Sequence, residues 1–245
     1  MSTYFFRFLS VLFFGVILLL GCSGVNTSVK TAAAAVKTPP VVTSTLTSGV
    51  AANSPVAKGV QTVVFAGGCF WGLEAVFEHV KGVTDVTSGY SGGAAKTADY
   101  ETVSAGKTGH AEAVKITFDT TKVSYNQLLK IFFSVAHDPT ELNRQGPDTG
   151  TQYRSVIFFA DDEQKRLAQN YIDELNKAKT FTRPIATQVV LLDAFYQAED
   201  YHQNYLERHP DEPYIVINDQ PKVENLRKQF PDLYIQYGSK PKRRI

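Results

Sequence analysis

Methionine and cysteine are both scarce in this chain. Met1 is the single methionine in 245 residues. Methionine is the apolar side chain most easily oxidised, and its sulfoxide disrupts packed cores. A core built without it suits an oxidant-exposed protein. The cysteines number two, Cys22 and Cys69, which excludes a multi-disulfide framework and the four-cysteine zinc sites. Acidic residues are absent before Glu74. Four of the 25 basic residues (Arg7, Lys30, Lys37 and Lys58) precede residue 61, leaving 21 against 24 acids in the remainder. The net charge of +1 therefore conceals a mildly acidic body. No basic field covers that body, so nucleic-acid binding has no electrostatic support. The Lys240-Pro241-Lys242-Arg243-Arg244 end reads as a solvated tail. With 43% hydrophobic and 20% charged residues, the remainder has the balance of a folded protein, long enough for one sizeable domain.

The N-terminus reads as an address and a tether. Arg7 precedes an apolar run from Phe8 to Leu20, short for a bilayer span. Leu19-Leu20-Gly21-Cys22 resembles a bacterial lipobox, which implies cleavage after residue 21 and acylation of Cys22. An ordinary cleaved signal and an uncleaved anchor are the alternatives. Two or three acyl chains would hold the protein stably on a membrane. Ser23, following the cysteine, points to the outer membrane of a Gram-negative cell envelope, with the domain facing the periplasm or the exterior. Residues 22–60 are rich in Ser, Thr, Ala, Val and Pro, without aromatics or apolar periodicity. They read as a flexible linker reaching roughly 35 Å on average. The expected division is a signal at 1–21, a tether at 22–60 and a folded domain at 61–245.

Within the folded part, Gln61 to Ala66 predicts a strand and Phe70 to Val80 a helix stopped by Gly82. Val83 to Tyr90 predicts a strand, Ser91 to Gly109 a loop, and Ala111 to Phe118 a strand. Ser124 caps a helix through Val135. A polar loop from His137 to Gln152 leads to a strand over Tyr153 to Ala160, then a helix from Asp161 to Ala178. Ile185 to Leu192 reads as a strand and Glu199 to Arg208 as a helix. Alternation without regular βαβ spacing predicts an α+β chain. Its expected form is a ferredoxin-like α/β sandwich, with helices packed on a mixed sheet, long coil loops and a C-terminal tail.

Cys69 falls between the first strand and the first helix, after Gly67-Gly68. Free amides and the positive end of a helix dipole stabilise a thiolate there, predicting a lowered pKa and a nucleophile. A buried structural cysteine is the other reading that spacing alone allows. His110, His137, His202 and His209 supply no H-x-x-x-H or H-E-x-x-H pattern, so no metal site is expected. Zinc aside, a histidine within reach of Cys69 would make a cysteine hydrolase, which sequence cannot test.

Gly67-Gly68-Cys69-Phe70-Trp71-Gly72 closely resembles the signature of the A-class peptide methionine sulfoxide reductases, which reduce the S epimer. Further blocks match in order: Gly89-Tyr90-Ser91-Gly92-Gly93, Tyr100, Thr108-Gly109-His110-Ala111-Glu112-Ala113, His137-Asp138-Pro139-Thr140, and Asn143-Arg144-Gln145-Gly146 with Asp148. Gly150-Thr151-Gln152-Tyr153-Arg154-Ser155, Ala198-Glu199-Asp200-Tyr201-His202-Gln203 and Tyr205-Leu206 complete the series. The resemblance implies that Cys69 attacks the sulfoxide sulfur, that Glu112 protonates the oxygen, and that Tyr100 and Tyr153 donate hydrogen bonds to it. It also implies that Asp148 positions substrate and later reductant, and that Phe70 and Trp71 grip the S-methyl group. His110 and His202 are left as supporting or structural residues.

Many relatives carry resolving cysteines toward the C-terminus. Residues 207 to 245 contain none, so the chain resembles the single-cysteine subgroup. Its sulfenic acid would need an outside thiol, a thioredoxin-like protein in the cell or dithiothreitol in vitro, and no bound cofactor. Oxidised proteins and free methionine sulfoxide are the implied substrates, acted on by a monomer. A cysteine hydrolase and a non-catalytic lipoprotein binding module are the competing readings.

Overall fold

The computed structural model describes residues 59–238. The signal, Cys22, most of the tether and the basic tail lie outside the described residues. Among the described residues no helix is long and apolar enough to cross a membrane.

The chain opens with β1 (Val60–Ala66), whose last four residues are all buried, as a central strand covered on both faces requires. It turns through Gly67-Gly68 into α1 (Phe70–Glu78), then β2 (Val83–Ser91), α2 (Tyr100–Ser104), β3 (Ala111–Asp119) and α3 (Tyr125–Ile131). The hairpin of β4 (Arg144–Gln145) and β5 (Asp148–Thr149) precedes β6 (Val156–Phe159), α4 (Asp162–Lys177) and β7 (Gln188–Leu191). β8 (Phe195–Gln197), α5 (Tyr205–Arg208) and α6 (Gln220–Gln229) follow. The main sheet runs β7-β6-β1-β3-β2-β8, antiparallel throughout except for the parallel β6–β7 pair.

Its centre, β6-β1-β3-β2, is the order that two interleaved β-α-β crossovers generate, one through α1 and one through α3, so the ferredoxin-like mixed-sheet expectation holds. Phe65 stacks on Phe132 with centroids 4.7 Å apart and tilts against Phe77 at 5.8 Å, tying β1 to both sides of the core. The first helix keeps Phe70, Leu73, Val76 and Phe77 inward, as their spacing predicts. Ser124 caps α3 through a complete capping box with Gln127, and Asp161 caps α4.

Besides the short β4–β5 hairpin in the expected polar loop and the added β8, three segments depart from the sequence reading. The loop after β2 contains α2, nucleated by Asp99, whose carboxylate accepts from the Thr102 amide while Val103 is buried. The expected helix from Glu199 to Arg208 breaks: Asn204 takes φ +54°, which separates a single 3-10 turn (Asp200–His202) from the short α5. The end of the chain, given no elements in the sequence reading, folds into a π-helical turn (Ile215–Asp219) and α6, and α6 packs on α1. Tyr234 then bridges to Val80.

Candidate active site

Everything converges on the turn between β1 and α1. Gly68 adopts φ +96°, and a Cβ there would stand 2.7 Å from Gln145 Cβ, so glycine is required on both counts. Cys69 follows at the N-cap of α1 and is 8% exposed. β1 last pairs with β3 at Phe65–Val114. Glu112 lies two residues beyond that pair on the same face of β3, which brings it alongside the turn. Its Oε2 accepts from the Phe70 amide at 3.1 Å. Burial, opposed by that amide, pushes the Glu112 carboxyl up to about 8.

Tyr100 is placed by Glu199, whose Oε1 accepts from the Tyr100 amide and whose Oε2 accepts from the Tyr90 hydroxyl, both at 2.9 Å. Tyr153 closes the 3-10 turn after β5. Burial, together with the charges on Glu112, Cys69 and Asp148, holds both phenols above their ordinary value, so both remain neutral hydrogen-bond donors. Cys69, Tyr100, Glu112, Asp148 and Tyr153 therefore share one electrostatic environment, drawn from five separate segments.

The thiol departs from expectation. The Trp71 amide at the start of α1 does favour the thiolate, as does Lys222. Burial, followed by the charges of Glu112 and Asp219, outweighs both and raises the Cys69 pKa well above its ordinary value. Burial in apolar surroundings opposes the lowering that a helix N-terminus gives a thiol. At neutral pH Cys69 rests as a thiol.

The aromatic pair divides in role. Phe70 is fully buried against Tyr90 and His202. Trp71 is partly exposed and stacks on Tyr205 with centroids 3.7 Å apart and planes 7° from parallel, with Tyr214 set edge-on at 5.9 Å. Trp71 Nε1 donates to His202 Nδ1 at 3.1 Å, and the His202 ring lies 4.5 Å from that of Tyr100. His202 thus links Trp71 to Tyr100.

A cavity of about 330 Å³ opens on Cys69, walled by Val135, His137, Gln145, Asp148, Tyr214 and Lys222 among others. Tyr214 donates a short hydrogen bond to Asp148 Oδ2. His137 directs Nδ1 at the Phe132 carbonyl and Nε2 at Ser155 Oγ, and burial drops its pKa to about 4. Both its nitrogens are engaged, so His137, the histidine that lines this cavity, is not free to serve Cys69 as a base. Among the described residues no three His, Cys, Asp or Glu side chains converge on a metal position.

Comparison with known proteins accords with this geometry. The family model for peptide methionine sulfoxide reductase matches residues 61–234. The chain belongs to that family. A peptide methionine sulfoxide reductase from Mesorhizobium japonicum is 59% identical over 178 residues, covering 73% of this chain and 91% of its own length. One from Synechocystis is 56% identical over 179 residues, covering 73% and 84%. The fold resembles the reduced form of Mxr1 from Saccharomyces cerevisiae, with TM-score 0.58 and 32% identity over 64% of this chain and 89% of the other. It also resembles methionine sulfoxide reductase A of Corynebacterium diphtheriae, with TM-score 0.55 and 35% identity over 62% and 76%.

In this reductase, the residues that sequence reasoning missed come from one place. Tyr214, Asp219 and Lys222 lie on the C-terminal segment, where the sequence reading placed no element although Val223, Leu226 and Phe230 are helically spaced. Gly72 offered a signal that went unused. A Cβ there would come within 2.2 Å of Asp219 Oδ1, so a glycine ending the motif marks a close neighbour.

Proposed function

We propose that the chain reduces methionine-S-sulfoxide, free or within proteins, through Cys69. The observation that carries this reading is a carboxyl kept protonated to about pH 8 beside a lone buried thiol at a helix start. Oxide is a poor leaving group, so the sulfoxide oxygen must be protonated as sulfur is attacked. Glu112 supplies that proton, and Tyr100 and Tyr153 donate hydrogen bonds to the oxygen. Trp71, framed by Tyr205, receives the methyl group, and Asp148, held by Tyr214, orients the substrate backbone. Oxygen passes from the substrate sulfur to Cys69: thiol and sulfoxide become sulfenic acid and thioether. An outside thiol attacks the sulfenic sulfur, releases water and leaves a mixed disulfide. A second thiol frees Cys69 and carries the disulfide away.

Residues 61–245 form the catalytic domain in this reading, tethered through an acylated Cys22 and residues 22–60 in the cell envelope, with a thioredoxin-like protein as reductant. The absence of cysteine after residue 69 supports placement in the single-cysteine subgroup. The full-length chain, incubated with dithiothreitol and each epimer of methionine sulfoxide, should consume the S epimer alone. Turnover of neither epimer would overturn the proposal. Withholding reductant should leave Cys69 as sulfenic acid, whereas an intramolecular disulfide in the mass spectrum would refute the single-thiol cycle. Acyl labelling should disappear in Cys22→Ala.

A further inference from the structure

Asp219 is fully buried where the π-helical turn Ile215–Asp219 runs into α6, and its side chain accepts no hydrogen bond from the amides of α6. Its Oδ1 pairs instead with Lys222 Nζ at 3.0 Å, and its Oδ2 has no partner. The pair lies against the first turn of α1: a Cβ at Gly72 would come within 2.2 Å of Asp219 Oδ1 and 2.7 Å of Lys222 Nζ. Gly72 is one helical turn from Cys69. Lys222 also lines the cavity that opens on Cys69, and it is the one cation among the described residues that do so.

We propose that Lys222, held in place by Asp219 and admitted by the missing side chain at Gly72, is the positioning cation for the Cys69 sulfur. The inference deepens the reductase reading and rests on it for its purpose. In that cycle the sulfur carries negative charge twice. It does so first as it attacks the sulfoxide, and again as it leaves the mixed disulfide. Glu112 is neutral at working pH and can offer only a dipole. An ammonium beside the helix start supplies the compensating charge that burial otherwise denies the thiolate. The opposing charges are named readily. Glu112 faces the sulfur from β3, and Asp138, Glu141 and Asp148 line the cavity with the neutral His137. The hydroxyls of Tyr100, Tyr153, Tyr205 and Tyr214 complete the surroundings. Asp219 opposes the thiolate directly, while fixing the cation that favours it. The two members of the pair therefore pull the thiol in opposite directions.

That opposition makes the test specific. The full-length chain is alkylated with iodoacetamide across pH, and modification is followed on the Cys69 peptide by mass spectrometry, which separates it from Cys22. Lys222→Gln should raise the midpoint by about one unit, slowing alkylation about tenfold on the rising limb. Lys222→Arg should restore most of the rate. Asp219→Asn should shift the midpoint downward. An unchanged profile in Lys222→Gln, or shifts of both variants in the same direction, would overturn the proposal. If Asp219→Asn fails to fold, the contrast between Lys222→Gln and Lys222→Arg decides alone. Alkylation involves no sulfoxide, so these shifts in a chain that reduces no sulfoxide would overturn the reductase reading and leave Lys222 in place.

Discussion

Glu112 and Cys69 show how burial in one site sets two protonation states at once. The same burial that keeps Glu112 protonated also keeps the Cys69 thiol protonated. The resting site is therefore neutral and holds the proton its chemistry needs. The consequence is a pH dependence of one sign. Because the Glu112 pKa is raised to about 8, the acid is present below that value and lost above it. Single-turnover reduction of methionine sulfoxide should therefore lose its acid and fall as pH rises beyond 8. Glu112→Gln keeps the acceptor for the Phe70 amide but cannot transfer a proton. It should slow the step by about 10²-fold or more and remove the descending limb. Stopped-flow measurement of single turnovers from pH 6 to pH 9.5 checks both, and a Gln variant with near-parental rates would take Glu112 out of the acid role.

The elements around this pair differ in how far local sequence specifies them. β1, α1, β3 and α4 were legible because each carries its own period, and Ser124 and Asp161 announce the helices that they cap. The position of Cys69 between strand and helix was legible for the same reason. The C-terminal wall was not. Lys222 and Asp219 sit on α6 and the π-helical turn before it, and their meaning comes from packing against α1, far away in sequence. Asn204 likewise breaks a helix that its neighbours' apolar spacing favours, because it adopts φ +54° and its amide donates to the buried Glu74. Phe70, read with Trp71 as a grip on the methyl group, lies in the core, while Tyr205 and Tyr214 frame Trp71. Gly72 is where local motif and distant element meet, and it predicts their coupling. Gly72→Ala should place a methyl where Asp219 and Lys222 now lie, destabilising the chain by about 1–3 kcal/mol as overpacked sites do. It should also depress Cys69 alkylation at pH 8. Urea unfolding and thiol labelling measure the two effects, and parental values in both would show that α6 moves aside freely.

Across the whole molecule, buried ionisable groups tie stability to pH in a definite direction. Burial, and secondarily the charge of Glu78, raises the Glu74 pKa from 4.5 to about 8, and Glu112 is raised over the same interval. In the unfolded chain both ionise near 4.5, so between that value and 8 the folded state binds more protons than the unfolded one. Their contribution to stability is complete below pH 4.5 and declines until pH reaches about 8, each with a slope of up to ~1.4 kcal/mol per pH unit. His137 acts from the other side. Its pKa is lowered from 6.5 to about 4, so the unfolded state takes up the extra proton as pH falls through that interval, and stability declines there. Between pH 4.5 and 6.5 the two carboxyl slopes together exceed the opposing His137 slope, so these three groups favour the folded chain most near pH 4.5. Glu74→Gln separates the contributions without touching the site, because an amide oxygen can still accept from the Asn204 amide. The variant should lose part of the decline between pH 5 and pH 8 and exceed the parent in stability at pH 8. Denaturant unfolding at half-unit pH steps measures the slope directly. An unchanged slope in Glu74→Gln would mean that this carboxyl is ionised in the folded chain, with water or a cation reaching it.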